Sequence, residues 1–309
     1  MRKSRTWALA LVLAFMALVV GGCGDDDDEE AAAGATTTVA KGRIVVGSTN
    51  FPEQLIVANM YAQVLEHHGF DVELRPNLGN REIVQPALQN GEIDLLPEYV
   101  GTLLEFLQTG SATPDVDQSV AKLRELLAPK GLTALEPAPA VDANALVVTR
   151  KTATERNLTK ISDLAPIADT LVLGGPPECP TRPLCLIGFE GVYGLKFKEF
   201  KALDAGGPIT KEALERGQID VALLFSSDGA IPARGFVVLE DDRRLQPAEN
   251  VIPVIRTEKV TPDLEEALNE LSAKLTTEEL SELNKAVDVD KADPDDVAES
   301  FLEEQKLLR

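Results

Sequence analysis

The chain has 309 residues and a formal net charge of −21, because 51 acidic side chains outnumber 30 basic ones. This charge argues against nucleic-acid binding, which needs basic patches. It suits an exported protein that must stay soluble near a membrane. The chain beyond residue 41 is long enough for one large or two medium domains.

Residues 1–22 are predicted to form a secretory signal peptide. A basic start precedes an apolar run over residues 7–20, which is shorter than the ~20 residues of a membrane-spanning helix. The run ends in the sequence VGGC, and small residues directly before Cys23 resemble a bacterial lipobox, in which the cysteine is lipidated. We therefore expect an extracytoplasmic protein that is anchored to the cell membrane as a lipoprotein. An ordinary signal peptide with an incidental cysteine is the alternative.

Residues 23–41 are predicted to form a solvated tether behind the lipid. An unbroken acidic run covers residues 25–30, and an Ala/Thr-rich stretch follows it. Such a segment has few apolar groups to bury, and charge repulsion extends it.

The first part of the folded region alternates strands and helices. The β-branched run at 43–47 predicts a buried strand, and Pro52 suits the first turn of a helix that ends near residue 68. Capping residue types at 48–50 precede that helix. The elements predicted next are a strand at 70–75, helices at 80–90, 100–107 and 115–128, and a strand at 132–135. A Pro-rich segment at 136–140 is predicted to cross to a second lobe.

The second part contains shorter elements and then returns. Strands are predicted at 145–149, 171–173, 201–204, 221–225 and 236–239, with a helix at 189–197. A strand at 251–255 is predicted to carry the chain back. Helices at 262–274, 276–287 and 293–308 follow, with start signals at Thr276 and at Asp293-Pro294. We expect these three helices to pack on the first lobe, because two crossings return the chain to it.

A short motif occurs twice, at 87–94 and at 213–220, as A-L-x-x-G-x-I-D. Each copy predicts a helix that ends at a glycine, followed by an Ile-Asp step into an apolar strand. Polar and aromatic residues follow both strands. Open α/β sheets bind ligands at the carboxyl ends of their strands, so two related halves predict a cleft between two lobes. Chance similarity of two helix–strand junctions is the alternative.

Cys179 and Cys185 lie close together in a Pro-rich loop. An oxidising compartment and an even count of the remaining cysteines predict a disulfide between them, with two free thiols as the alternative.

Several ordered motifs together resemble a known family, the substrate-binding lipoproteins of ABC importers for osmoprotectants of the glycine betaine/carnitine/choline type. The motifs are GSTNFPEQ at 47–54, GEID at 91–94, EYVGT at 98–102, PE at 177–178 with Arg182, YG at 193–194, SSDG at 226–229, DDR at 241–243 and PV at 253–254. The resemblance implies an α/β fold of the type II periplasmic-binding-protein class, with two lobes joined by a two-segment hinge around a ligand cleft. Residues 42–141 and 251–309 would form lobe I, and residues 142–250 would form lobe II.

The resemblance also implies a function. The protein would capture a small polar osmolyte and deliver it to a membrane permease that works with a cytoplasmic ATPase. It would have no catalytic activity, cofactor or metal. We expect a monomer.

In this family the trimethylammonium head sits among tyrosine rings, as cation–π recognition favours. Carried over to this chain, Tyr99 matches one cage tyrosine and Thr102 its polar neighbour, and Arg182 matches the arginine that binds the ligand carboxylate, a task that suits a guanidinium fork. Phe225 stands where another cage tyrosine is usual. The predicted ligand-binding residues are Asn50, Phe51, Tyr99, Thr102, Asn144, Arg182, Phe225, Ser226 and Glu249.

Three positions depart from the family pattern. Asn144 and Glu249 fall where cage tyrosines are usual, and Thr49 replaces a frequent lysine. Loss of two rings should weaken quaternary-ammonium binding by roughly one to three factors of ten. Glu249 could pair with a cation directly, or it could hydrogen-bond a polyol.

Other functions remain as alternatives. The same fold could bind a non-quaternary solute such as a polyol, or serve as a sensor lipoprotein without transport. A hydrolase could use Ser226, Ser227 or Asp228, but His67 and His68 are the only histidines and lie side by side far from these residues in sequence. Two adjacent histidines without free cysteines also argue against a zinc site.

Overall fold

The computed structural model describes residues 41–309. The predicted signal peptide, Cys23 and nearly all of the tether lie outside the described residues. The first stretch of the described chain contains β1 (Arg43–Gly47), α1 (Pro52–His67), β2 (Asp71–Arg75), α2 (Arg81–Asn90), β3 (Leu95–Tyr99), α3 (Val100–Leu107), α4 (Val116–Leu127) and β4 (Leu132–Ala134). The second stretch contains β5 (Asn144–Thr149), α5 (Arg150–Arg156), β6 (Val172–Gly175), α6 (Leu186–Tyr193), β7 (Glu199–Ala202), α7 (Pro208–Glu215), β8 (Val221–Phe225), α8 (Ala230–Ala233) and β9 (Phe236–Val238). The third stretch contains β10 (Val251–Arg256), α9 (Pro262–Lys274), α10 (Thr277–Asp288) and α11 (Pro294–Glu304).

Two five-stranded sheets form the two lobes. The first sheet has the order β2-β1-β3-β10-β4, and the second has the order β7-β6-β8-β5-β9. In each sheet the first three strands run parallel, and the fourth runs antiparallel to its neighbours. The two sheets therefore share one topology, and the predicted two-lobe α/β architecture is confirmed.

The repeated motif performs the same task in both lobes. Gly91 directly follows α2, and Gly217 lies two residues beyond the end of α7; both adopt left-handed conformations, with φ of 76° and 67°. The Asp94 amide donates to the Val45 carbonyl at 2.7 Å, and the Asp94 side chain accepts from the Val45 amide at 3.0 Å. Asp220 repeats this arrangement with Val172, at 2.9 Å from the side chain. The motif thus ties each helix–strand junction to the neighbouring strand.

Two segments, at 135–143 and 239–250, connect the lobes and pair with each other. The Asp142 amide donates to the Glu249 carbonyl at 3.0 Å, and Val141 and Asn250 form an antiparallel bridge. The Asn250 side chain donates to the Ala138 carbonyl at 2.9 Å. The connection is therefore a two-segment hinge, with each crossing segment supporting the other.

The three C-terminal helices pack around α1 and share its core, as expected from the return of the chain. Their start signals also operate as predicted. Thr276 and Glu279 form a capping box at α10, and the Asp293 side chain accepts from the Asp295 amide at 3.0 Å at the start of α11. Helix α1 begins differently, because Phe51 is its N-cap and makes no side-chain capping bond.

Helix α10 also contacts the second lobe. Lys211 on α7 is buried between Asp228, at 2.8 Å, and Asp288 at the end of α10, at 2.5 Å. A Cβ added to Gly229 would lie 2.5 Å from the Ser281 carbonyl, so only glycine permits this approach of α8 to α10. The lobes are thus joined by a packed seam in addition to the hinge.

Several element bounds differ from the prediction. The helix predicted at 189–197 runs from Leu186 to Tyr193, because Gly194 is left-handed (φ 72°) and ends it. The strand predicted at 201–204 lies at Glu199–Ala202, and the short helices α5 and α8 were not predicted. These elements belong to the smaller lobe, where short segments carry little periodic signal.

Candidate functional site

A cavity of about 350 Å³ lies between the lobes, at the carboxyl ends of β1, β3, β6 and β8. The first lobe contributes the loop after β1 and the start of α2, together with the end of β3 and the face of α3 that follows it. The second lobe contributes the start of β5, the loop after β6 and the end of β8. Of the nine predicted ligand-binding residues, the following line the cavity: Asn50, Phe51, Tyr99, Thr102, Asn144, Arg182 and Phe225.

Three aromatic rings form one wall of this cavity, and we call Phe51, Tyr99 and Phe225 the aromatic wall. The Phe51 ring centroid lies 4.9 Å from that of Phe225 and 6.2 Å from that of Tyr99. Phe51 therefore joins a ring of the first lobe to a ring of the second. Phe106, on the turn of α3 after Thr102, adds a further ring to the lining that sequence reasoning missed. Its spacing of four residues from Thr102 was the available signal, since such residues share a helix face.

The hydroxyl group of Tyr99 is held by buried groups on α1. It donates to the Glu53 carboxyl at 2.6 Å and lies 3.3 Å from the Gln54 amide nitrogen, which donates to it. Burial, and then the charge of Glu53, raise the pKa of Tyr99 well above its ordinary value. The phenol therefore stays neutral, and its ring is fixed in the wall.

A buried polar network lies beside the aromatic wall and joins the lobes. The Ser227 hydroxyl contacts the Glu53 carboxyl, and it lies 2.7 Å from a carboxyl oxygen of Asp142. The Asn284 amide nitrogen donates to Glu53 at 2.6 Å. Burial raises the pKa of both Glu53 and Asp142. One hydroxyl proton cannot serve two carboxylates, so at least one of these carboxyl groups is protonated if both contacts to Ser227 are hydrogen bonds.

Thr102 is held between an ion pair and a buried carboxyl group. Arg81 makes a forked contact to Glu98, with its closest N–O distance 2.7 Å, and it also donates to the Thr102 hydroxyl at 3.0 Å. Gln85 donates to Glu98 at 2.7 Å. Both Arg81 and Glu98 line the cavity. Neither was among the predicted ligand-binding residues.

Glu249 lies behind the cavity wall and does not line it. It is fully buried, and its carboxyl accepts from the Thr102 amide at 3.0 Å. The other carboxyl oxygen has no partner and packs against Gly101. Burial raises the pKa of Glu249 to about 8. The predicted direct contact with a ligand is therefore not retained, because the side chain supports the start of α3 instead.

Ser226 also lies outside the lining. Its hydroxyl accepts from the Ala143 amide at 2.9 Å, and its own amide donates to the Ala143 carbonyl at 2.8 Å. The residue therefore attaches the end of β8 to the hinge, and it is not retained as a ligand contact.

Arg182 lines the cavity, but acidic side chains of the protein already bind it. It reaches across the cleft to Glu82 at 2.9 Å, and it lies 3.5 Å from Glu178. Although partial burial opposes the shift, the hydrogen bond from Arg182 lowers the pKa of Glu82. The loop that carries Arg182 is closed by a disulfide between Cys179 and Cys185, with a Cα–Cα distance of 5.2 Å.

The remaining candidate residues form hydrogen bonds with other parts of the protein. Asn144 pairs with Phe225 across β5 and β8, and its side chain donates to the Leu184 carbonyl at 3.1 Å. The Tyr193 hydroxyl contacts Asp241 and accepts from the Arg243 amide, away from the cavity. His67 lies at the end of α1, 3.2 Å from the terminal carbonyl group of the chain. Ser227 is thus bonded to carboxyl and amide groups rather than to an imidazole.

Residues 41–309 contain neither a cluster of metal ligands nor a membrane-spanning helix, in the senses that follow. No group of three or more His, Cys, Asp or Glu side chains in this part of the chain is arranged to hold a metal ion. None of its helices is both long and apolar enough to cross a membrane.

Known proteins resemble this chain over most of its length. The chain is 29% identical to the glycine betaine-binding protein YehZ of Escherichia coli, over 86% of this chain and 92% of that protein. It is 28% identical to the carnitine transport binding protein OpuCC of Listeria monocytogenes, over 87% of this chain and 89% of that protein. A crystal structure of a glycine betaine/carnitine/choline ABC transporter protein superposes with a TM-score of 0.69 at 28% identity, covering 86% of this chain and all of the other.

That structure has the predicted type II periplasmic-binding-protein fold, and the two lobes, the hinge and the cleft of this chain agree with it. A family model described as the substrate-binding domain of the ABC-type glycine betaine transport system matches residues 42–304, nearly all of the described chain. The chain belongs to this family of substrate-binding domains of ABC importers.

Proposed function

We propose that the protein captures a small quaternary-ammonium osmolyte of the glycine betaine, choline or carnitine type. The observation that carries the proposal is the aromatic wall inside the cleft between the two lobes. The ring faces of Phe51, Tyr99 and Phe225 offer negative electrostatic potential to a cation, and each such contact contributes about 0.5–2 kcal/mol. The ligand names of the related proteins support the same class of solute.

The lobes supply a trapping mechanism. The residues that line the cleft come from both lobes, so a ligand can be enclosed only when the lobes approach each other. We propose that residues 42–141 with 251–309, and residues 142–250, move as two bodies about the paired hinge segments. Closure removes the ligand head from water, which strengthens its attraction to the rings.

The closed protein would then deliver its ligand to a membrane permease that works with a cytoplasmic ATPase. In this proposal the protein is a monomer without catalytic activity, and Cys23 carries the lipid that holds it at the outer face of the membrane. The acidic tether keeps the binding domain away from that surface by charge repulsion along its length.

Titration calorimetry tests the ligand class. The purified protein is titrated with glycine betaine, choline and carnitine, and with glycerol and sorbitol as neutral polyols. We expect binding of at least one quaternary ammonium compound and none of the polyols. Binding of polyols alone would replace the proposal by a receptor for neutral solutes.

A further inference from the structure

The positive groups of the cavity are already neutralised by the protein itself. Among the described residues that line the cavity, Arg81 and Arg182 are the basic ones. Arg81 is buried and forked onto Glu98, while Arg182 bridges the cleft to Glu82 and also approaches Glu178. Each guanidinium thus has a carboxylate partner before any ligand enters.

The lining also contains acidic groups that have no basic partner there. Glu105 is buried and accepts from the amides of Gly110, at 2.7 Å, and Ala112, at 2.8 Å. The Asp142 carboxyl also lines the cavity, and it accepts a hydrogen bond from the Ser227 hydroxyl at 2.7 Å. Altogether five carboxyl groups and two guanidinium groups line this cavity. The cavity remains more acidic than basic even when Asp142 is protonated.

A ligand carboxylate would therefore need to break an existing pair. Displacing Glu98 from Arg81 would leave a buried carboxylate without its partner, which is strongly unfavourable. Displacing Glu82 from Arg182 is easier because this pair is partly exposed, yet the freed Glu82 and Glu178 would then face the incoming carboxylate. At the start of α1, the Thr49 amide already donates to the Gln54 side chain, and Pro52 has no amide proton to donate.

We infer that the cleft selects a quaternary ammonium cation with a hydroxyl tail, of the choline kind, over a zwitterion that carries a carboxylate. This inference rests on the proposed function and narrows its ligand class. The trimethylammonium head would face the aromatic wall, where the surplus negative charge favours it. The hydroxyl tail can donate a hydrogen bond to a lining carboxylate, whereas a carboxylate tail cannot.

The test compares ligands that share the trimethylammonium head. Choline and glycine betaine differ only in a hydroxymethyl group against a carboxylate, and 3,3-dimethyl-1-butanol is the neutral analogue of choline. Calorimetry on the purified full-length protein in a nonionic detergent at pH 7 should give a Kd for choline at least tenfold lower than for glycine betaine. The neutral analogue should bind at least tenfold more weakly than choline.

The Glu82→Gln variant tests the cause of the selectivity. It frees Arg182 for a ligand carboxylate, so the affinity for glycine betaine should rise about tenfold while that for choline does not rise. Glu155→Gln is the matched control, because Glu155 is exposed on α5 and does not line the cavity. It should leave both affinities unchanged.

The possible failures are distinct. Glycine betaine binding as tightly as choline, or the neutral analogue binding as tightly as choline, would overturn this inference and leave the proposed function standing. An unchanged affinity of Glu82→Gln for glycine betaine would overturn the role given to the Arg182–Glu82 pair. Absence of binding for every quaternary ammonium compound would overturn the proposed function, and this inference with it.

Discussion

Replacing Glu249 by glutamine should remove a pH-dependent loss of stability. Glu249 is fully buried, and burial raises the pKa of its carboxyl group to about 8, against the opposing effect of the Thr102 amide that donates to it. Glutamine has nearly the same shape and can accept the same hydrogen bond, but it does not ionise. The comparison of Glu249→Gln with the wild type therefore isolates the ionisation of one side chain.

The sign and size of the effect follow from the two pKa values. In the unfolded chain the group titrates near 4.5, so between pH 4.5 and 8 the folded protein retains a proton that the unfolded chain has released. The free energy of unfolding consequently falls as the pH rises through this window. One pKa unit corresponds to about 1.4 kcal/mol, so the raised pKa of Glu249 lowers the free energy of unfolding of the wild type by about 3 kcal/mol at pH 7 and about 5 kcal/mol at pH 9, relative to pH 4.

Urea unfolding followed by far-UV circular dichroism at pH 4, 7 and 9 measures this difference. Near pH 4 the two proteins should have similar free energies of unfolding, and the variant should be increasingly more stable as the pH rises. Other buried carboxyl groups, such as Glu53 and Asp142, are present in both proteins and cancel. The exposed Glu155→Gln variant should follow the wild type at every pH. A gap between Glu249→Gln and the wild type that stays constant from pH 4 to 9 would refute the reasoning.

Three further predictions concern the wall, the seam and the anchor. Phe51→Leu should raise the Kd for choline about 2- to 30-fold in calorimetry, because it removes a cation–π contact. The control Phe197→Leu, outside the cavity, should leave this Kd unchanged. Equal affinities in the two variants would contradict the role given to the aromatic wall. Lys211→Met should lower the free energy of unfolding by about 3–5 kcal/mol, because it leaves the buried Asp228 and the partly buried Asp288 without their shared cation. Adding Asp228→Asn to Lys211→Met should restore part of the lost free energy of unfolding, measured by urea unfolding. No restoration would contradict the ion pair between Lys211 and Asp228 as the cause of the loss. Cys23→Ala should abolish incorporation of labelled palmitate and release the protein from the membrane fraction, whereas labelling equal to the wild type would exclude this cysteine as the anchor.

The fold was largely predictable because its signals are local and repeated. The A-L-x-x-G-x-I-D motif marks the same helix–strand junction in both lobes, and Asp94 and Asp220 bind the neighbouring strands alike. The capping residues at Thr276 and Asp293 also act within one helical turn. Such features depend on nearby residues and on backbone conformation, which a single sequence contains.

The site was less predictable because its geometry depends on distant segments. Glu249 was assigned to the ligand by its place in the family pattern, but the packing of the hinge against α3 turns it towards the Thr102 amide. Arg182 reaches the cavity as predicted, yet its pairing with Glu82 depends on how the two lobes approach each other. Phe51 contacts rings from both lobes, which only the folded arrangement reveals.

The central claim is that a trimethylammonium head lies against the rings of Phe51, Tyr99 and Phe225. Proton NMR tests it directly, since the nine equivalent methyl protons of choline give one sharp signal whose position reports nearby aromatic rings. As the protein is added, this signal should move upfield in the wild type and move clearly less in Phe51→Leu. The account would be contradicted if choline bound without an upfield shift of its methyl signal, or if the signal shifted equally in both proteins.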